Sequence, residues 1–329
     1  MTATLNKLLE SQTLTRNESH ELMHAIAAGR FNEAQIAAVL TSFIMRSINI
    51  DELQGFRAAL LELALCPKLD DTDTIDLCGT GGDGKNTFNI STLASFVVAA
   101  TGIRVAKHGN YGVSSISGSS NVMERLGYKC SNDENKLKRE LEVAGITFMH
   151  APLFHPALKT VGGVRRQLGI KSFFNILGPL VNPAKPKYQC SGVFNLETGR
   201  IYSYLLQSEQ KEFRVIHSLD GYDEISLTSN IKAFSPRGEY LLTPDDFGFE
   251  KLNPDALHGG STIDDAATIF MNVLQNQGTP QQMNVVAANA GMAIHCYRNI
   301  PLKQAVHTAT EALISLRAYD VFNNLIKMQ

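Results

Sequence analysis

The sequence has no tryptophan and no CxxC pair. Its five cysteines, at positions 66, 78, 130, 190 and 296, are scattered and odd in number. That pattern excludes a disulfide frame or a zinc ribbon and points to reduced thiols in a cytosolic protein. An excess of one charge is also lacking: 30 Lys and Arg face 32 Asp and Glu, a net charge of −2. Such a chain offers no basic field for nucleic acid. No apolar run is long enough to span a bilayer, so no membrane partner is expected. The N-terminal MTATLNK lacks the apolar core of a signal peptide. What remains is 329 residues, 44% hydrophobic, enough for a large core and two domains.

The first 65 residues read as helices only. Thr15-x-x-Glu18 is a capping box opening a helix through Ala28, and Gly29 stops it. Asn32 caps a second helix, Glu33 to Arg46, with Ile36, Val39, Leu40 and Phe43 on one face. Ile50 to Leu65 gives a third, closed by Pro67. A bundle this small needs further partners, either the rest of the chain or a twin subunit.

After Pro67 strands alternate with helices, the grammar of a parallel α/β sheet. Strands are expected at Thr74–Cys78, Ile103–Lys107, Ile146–Met149 and Phe213–His217, with helices at Leu93–Thr101 and Asn121–Leu126. A few antiparallel strands fit between Ile225 and Thr243, and three helical patterns run from Thr262 to the end. Cys78, ending the first strand, fits a buried small side chain better than a reactive thiol.

In open α/β sheets ligands sit at the carboxyl ends of the strands, and three loops there carry unusual chemistry. The first, GTGGDGKNTFNIST (79–92), holds four glycines in six residues. Glycines let backbone N–H groups turn inward around an anion, and the helix that follows favours phosphate. Gly79-x-Gly81-x-x-Gly84 matches a dinucleotide fingerprint, but the next strand ends in Lys107-His108 where an acid should hold the ribose. Gly79-x-x-x-x-Gly84-Lys85 matches a P-loop except for Asn86, where a magnesium-holding hydroxyl belongs. Asp83 repels a bare phosphate but suits a sugar hydroxyl or a magnesium–phosphate.

The second loop, KHGNYGVSSISGSS (107–120), offers a cation, hydroxyls and glycines before another helix, which makes a second anion site. The third carries Asp223-Glu224. Read alone it is a charged turn; facing two phosphate loops, it suits a hard cation such as magnesium. Between them, Arg165 and Arg166 suit a carboxylate, which a guanidinium holds bidentate, though by composition they equally suit the surface. His155 before Pro156 equally fits a capped loop.

Taken together and in this order, Gly79-Thr-Gly-Gly-Asp-Gly84, Asn89-Ile-Ser-Thr92, Lys107-His-Gly-Asn110, Ser117-Gly-Ser119, Val164-Arg-Arg-x-Leu-Gly169, Phe174-Asn-x-Leu-Gly-Pro-Leu-x-Asn-Pro183 and Asp223-Glu224 resemble the anthranilate phosphoribosyltransferase family of tryptophan biosynthesis. The resemblance covers nearly the whole chain. It implies the fold of class II nucleoside phosphorylases: a small helical domain over residues 1–70, completed by helices within about 160–182, and a large α/β domain over 71–329 with a mostly parallel sheet. It implies a cytoplasmic homodimer formed through the helical domain. It implies transfer of the phosphoribosyl group of 5-phosphoribosyl 1-pyrophosphate (PRPP) to the amine of anthranilate, releasing pyrophosphate, with Mg²⁺ as cofactor. By position, Gly79, Gly82, Asp83, Thr87, Asn89, Ser91, Thr92, Lys107 and Ser119 match PRPP contacts. Ser91, Asp223 and Glu224 match the magnesium positions. Gly79, His108, Asn110 and Arg165 match positions around anthranilate, with His155 on the entry side.

The chain departs from the family pattern at Tyr111, usually arginine, at Ile116, often lysine, and at Ser120-Asn121, usually Ala-Asp. Two cations near the pyrophosphate are replaced, leaving Lys85 as the candidate substitute. Two rival readings share the fold: a pyrimidine nucleoside phosphorylase, which also carries a Lys-His-Gly motif, and a nucleic-acid-binding relative without transferase activity. Asn110 and the Arg165 segment speak against the first; the near-neutral charge and the Asp223-Glu224 pair speak against the second.

Overall fold

A computed structural model describes residues 2–69, 73–112 and 116–329. It divides into two compact units, residues 1–67 with 151–183 and residues 68–150 with 184–329.

The first unit is helical: α1 (Thr2–Leu9), α2 (Arg16–Ala27), α3 (Glu33–Arg46) and α4 (Ile50–Glu62), joined by a helix over Lys159–Leu168 and short turns to 183. Capping boxes open three of them: Thr15 with Glu18, Asn32 with Gln35, and Asn49 with Glu52. The sequence missed α1, and α4 ends three residues before the expected Leu65, whose backbone instead donates to Phe154 O at 2.8 Å. The two chain segments meet in an aromatic core. Phe173 stacks on Phe56 at 4.5 Å and meets Phe43 edge-on at 4.9 Å.

The second unit holds, among the described residues, a seven-stranded sheet: β1 (Ile75–Gly79), β2 (Val105–Gly109), β3 (Ile146–His150), β4 (Tyr188–Gly192), β5 (Glu212–Ser218), β6 (Ile231–Ser235) and β7 (Gly238–Leu242). Their order is β3-β2-β1-β4-β5-β6-β7. The first five run parallel, and β6 and β7 add antiparallel strands at one edge. The helix Pro280–Arg298 is buried over Val285–Ile294, as its apolar run requires. Beside it packs α5 (Ile90–Ala99), buried at every position but Ser91. Four helices, not three, follow Thr262 among the described residues. The fourth, Arg317–Ile326, is separated from its neighbour only by a short break at Ser315-Leu316, which the sequence alone did not reveal.

Strand order reverses at β1. The chain steps from β1 to β2 and β3 on one side, then returns to β4 and β5 on the other. The carboxyl ends of β1 and β4, the paired residues Gly79 and Gly192, therefore mark a topological switch point, where a crevice opens for ligand.

Candidate active site

Asp223 and Glu224 sit at this switch point. They lie in the loop after β5, and three anchors fix that loop. Ser218 Oγ donates to Glu224 O at 2.7 Å. Ser226 N donates back to Ser218 Oγ at 3.2 Å. Asn289, buried in the helix Pro280–Arg298, accepts from Ile225 N at 3.0 Å and donates to Ile225 O at 2.9 Å. The close approach needs glycines. A Cβ on Gly79 would lie 3.4 Å from Glu224 Oε1 and 3.5 Å from Asp223 Oδ2, and a Cβ on Gly192 would overlap the Asp223 carbonyl.

The loop after β1 closes over the pair. Thr80 N and Gly81 N donate to Asp223 Oδ2 at 3.1 and 2.7 Å. Gly81, Gly82 and Gly84 have φ of +64°, +76° and +74°, a left-handed run that turns these N–H groups inward. Asp83 lies beside Asp223, and Ser91 beside Glu224. Burial pushes both carboxyls of the pair up. Asp83 adds repulsion on Asp223, and Asp223 adds it on Glu224; the Gly81 and Thr80 N–H groups and the Lys107 ammonium oppose the shifts. Lys107 is 1% exposed, its Nζ donating to Leu77 O and standing 3.5 Å from Ser91 Oγ. Two adjacent carboxylates with Asp83 and Ser91 beside them, crowded enough to resist ionising together, are a hard-oxygen donor set that fits a magnesium ion. Thr80 Oγ1 and Asn89 Oδ1 are buried here without a hydrogen-bond partner among the described residues.

The remaining sequence candidates fall in two groups. Around the α/β loops, α5 begins at Ile90, three residues earlier than expected. Ser91 and Thr92 therefore lie inside its first turn, and Asn89 is its N-cap with no side-chain cap bond. Asn89 Nδ2 instead donates to Ser117 O at 3.0 Å, tying the two glycine loops together. Thr87 bridges to His258 in an isolated antiparallel contact, so the loop's far edge is fixed by a segment that no local pattern connects to it. His108, one residue before the end of β2, is buried, its backbone N donating to Asp76 Oδ1 at 3.1 Å. Asn110 is exposed and receives Ser119 Oγ on its carbonyl at 3.4 Å. Cys78, with its thiol pushed up by burial, is no nucleophile.

The second group belongs to the helical unit. Arg165, on the helix Lys159–Leu168, lies over the Phe174 ring at 5.4 Å and reaches Asn175 Oδ1 at 3.4 Å. Burial pulls its pKa down. Arg166 is exposed. His155 is 1% exposed and its Nε2 is 2.8 Å from Val181 O, so its ring is packed within the unit.

The departures from the family pattern form a network of their own. Tyr111 Oη donates to Glu124 at 3.1 Å and its ring meets His150 edge-on at 4.6 Å. His150 Nδ1 lies 2.8 Å from Ser120 Oγ. Asn121 Oδ1 accepts from Gly112 N and Gly118 N, at 2.9 and 3.0 Å, a task that needs an acceptor but no charge. Lys85 has its Nζ over the Tyr222 ring at 4.6 Å, lining a hollow of about 430 Å³ with Asn86, Thr87 and His258.

Residues 71–319 match the family described as glycosyl transferase family, a/b domain, and residues 2–64 match its helical bundle domain. Anthranilate phosphoribosyltransferase of Flavobacterium psychrophilum is 53% identical over 98% of this chain and 97% of its own. The chain belongs to the anthranilate phosphoribosyltransferase family. The enzyme of that name from Christiangramia forsetii is 51% identical over 98% of both chains. The crystal structure of the Thermus thermophilus enzyme superposes with a TM-score of 0.92, at 32% identity and 98% coverage of both. The Saccharomyces cerevisiae enzyme in complex with PRPP and Mg has the same fold, with a TM-score of 0.90 at 23% identity, covering 100% of this chain and 98% of its own.

Proposed function

We infer that this protein transfers the 5-phosphoribosyl group of PRPP to the amine of anthranilate, giving N-(5-phosphoribosyl)anthranilate and pyrophosphate. The observation that carries the reading is the close seating of Asp223 and Glu224 against Gly79 and Gly192 at the switch point, with Asp83 and Ser91 beside them and the glycine loop after β1 closing over the pair.

In this reading Gly79, Gly82, Asp83, Thr87, Asn89, Ser91, Thr92, Lys107 and Ser119 form the PRPP site. The loop after β1 and the start of α5 meet the pyrophosphate. Thr92 and Lys107 are buried and act from beneath the loop rather than on its open face. Lys107 holds the carboxylates' charge in balance. Ser91, Asp223 and Glu224 hold Mg²⁺, which, when bound, offsets the negative charge that develops on the departing pyrophosphate. Departure from C1 leaves an electron-poor ribose that the neutral aromatic amine attacks, so the chain supplies position more than a strong base. Gly79, His108 and Asn110 border the anthranilate, and the Arg165 guanidinium orients its carboxylate. His155, packed on Val181 O, holds its own segment in place near the entry.

The protein acts as a homodimer through the helical unit. Met45 at 83% exposure, Leu9 at 66% and Ile44 at 39% are apolar positions of that unit whose covering a second copy explains. Light scattering of the purified chain tests this, and a monomer overturns it. A cytoplasmic location fits five free cysteines and the described helices, none of which is long and apolar enough to cross a membrane.

The deciding assay follows anthranilate fluorescence on addition of PRPP and Mg²⁺, with and without EDTA. A loss of signal that needs enzyme and is stopped by EDTA is expected. A folded protein that gives no loss, yet cleaves a pyrimidine nucleoside with phosphate, would overturn the reading.

A further inference from the structure

His20 and His24 stand one turn apart on α2, which places both side chains on the same face. Glu62, the last residue of α4, meets them: its Oε2 lies 2.8 Å from His20 Nε2 and 3.1 Å from His24 Nε2. The donor atoms of the three residues all lie within 4.8 Å of one another, and the imidazole centroids are 4.6 Å apart. A zinc ion with bonds of about 2.0–2.1 Å needs its ligand atoms roughly 3.3 Å apart, a spacing that both histidine–glutamate contacts approach. The frame is rigid. A Cβ on Gly55 of α4 would overlap the Arg16 carbonyl of α2, and Leu22, Met23, Ile26, Phe56 and Leu60 are buried beneath. One side stays open to water, since the side chains are 31%, 37% and 57% exposed. A surface ion pair alone contributes little and needs one imidazole, whereas here two aim the same ring nitrogen at one carboxylate oxygen.

We propose that His20, His24 and Glu62 form a binding site for a zinc-type divalent ion that clips α2 to α4. Two imidazoles and one carboxylate select a transition metal, whereas the all-oxygen donors at Asp223 and Glu224 suit magnesium. The two sites are therefore distinguishable by ion as well as by variant.

The test is calorimetric titration of the chelator-stripped full chain with Zn²⁺ alone, repeated with Co²⁺ and its visible absorption recorded. One ion per chain is expected at this site, with a thermal midpoint that rises on adding zinc. His20→Ala with His24→Ala should weaken that binding by at least about tenfold, since even partners outside the metal's own ligand set are worth that much. Asp223→Asn with Glu224→Gln should leave it intact. His24→Gln, which preserves size, serves as a second variant, and its metal-free unfolding midpoint establishes that it is folded. No zinc bound by the parent, or equal binding by the folded histidine variants, overturns the site.

Discussion

Gly192 and Asp223 touch so closely that residue 192 has no room for a side chain: a Cβ there would overlap the Asp223 carbonyl. Gly192→Ala should therefore push the loop after β5 away from the sheet. Overpacking of this kind costs about 1–3 kcal/mol. Urea unfolding should show a loss in that range, and the Mg²⁺ concentration giving half-maximal activity should rise severalfold. Wild-type values for both would mean that the loop yields without disturbing its carboxylates.

Asn289 supports the same loop from below. Its amide is bonded to both the N–H and the C=O of Ile225. Asn289→Ala strands both groups in the core, at about 1–3 kcal/mol each. A fall of about 2–6 kcal/mol in unfolding free energy is expected, together with a higher Mg²⁺ concentration for half-maximal activity. Asn289→Asp keeps the acceptor but loses the donor to Ile225 O and buries one more carboxyl, so it should lose at least as much.

Asp223→Asn with Glu224→Gln removes two crowded carboxylates from a buried place. Metal-free stability at pH 8 should hold or rise, because the charges removed were unfavourable there. Magnesium-dependent use of PRPP should collapse. Unaltered Mg²⁺ dependence in initial rates would remove both residues from the site.

The same carboxyls set a pH dependence. Asp223 is raised to about 7 and Glu224 to about 8 in the folded protein, while both are near 4 in an unfolded chain. The folded state therefore holds more protons than the unfolded one. Its stabilising contribution is complete below about pH 4 and is lost as pH rises through 7 to 8. The metal-free unfolding midpoint should decline across that window, and the double variant should flatten the decline. Magnesium binding must expel those protons, so its affinity should climb from pH 6 to 8, with proton release visible in weakly buffered calorimetry.

Arg165→Ala should raise KM for anthranilate roughly ten- to a hundredfold, the worth of a hydrogen bond to a charged group, with kcat less affected. Arg165→Lys keeps the charge but not the fork, and should fall between. An unchanged KM in Arg165→Ala removes its role.

Local signals carried well from sequence to structure where a single residue sets the geometry. Thr15 and Asn32 start α2 and α3 as read, because capping is a contact over three residues. The glycine loop was legible because left-handed backbone demands glycine. The start of α5 was misplaced, because Ser91 and Thr92 resemble caps but serve Glu224 and the helix interior instead. Gly192, Asn289 and His258 were missed, since each acts across a long stretch of chain on a loop that no local pattern links to it. Asp223-Glu224 could be suspected from type alone. Its place over Gly79 follows only from strand order.

The helical unit is sewn from two stretches, 1–67 and 151–183, and Phe173 of the second completes the aromatic cluster begun by Phe43 and Phe56 of the first. During synthesis the first four helices must therefore wait for more than eighty intervening residues before their core closes. On the ribosome, the helical unit matures after β1, β2 and β3 have already emerged, although it begins the chain.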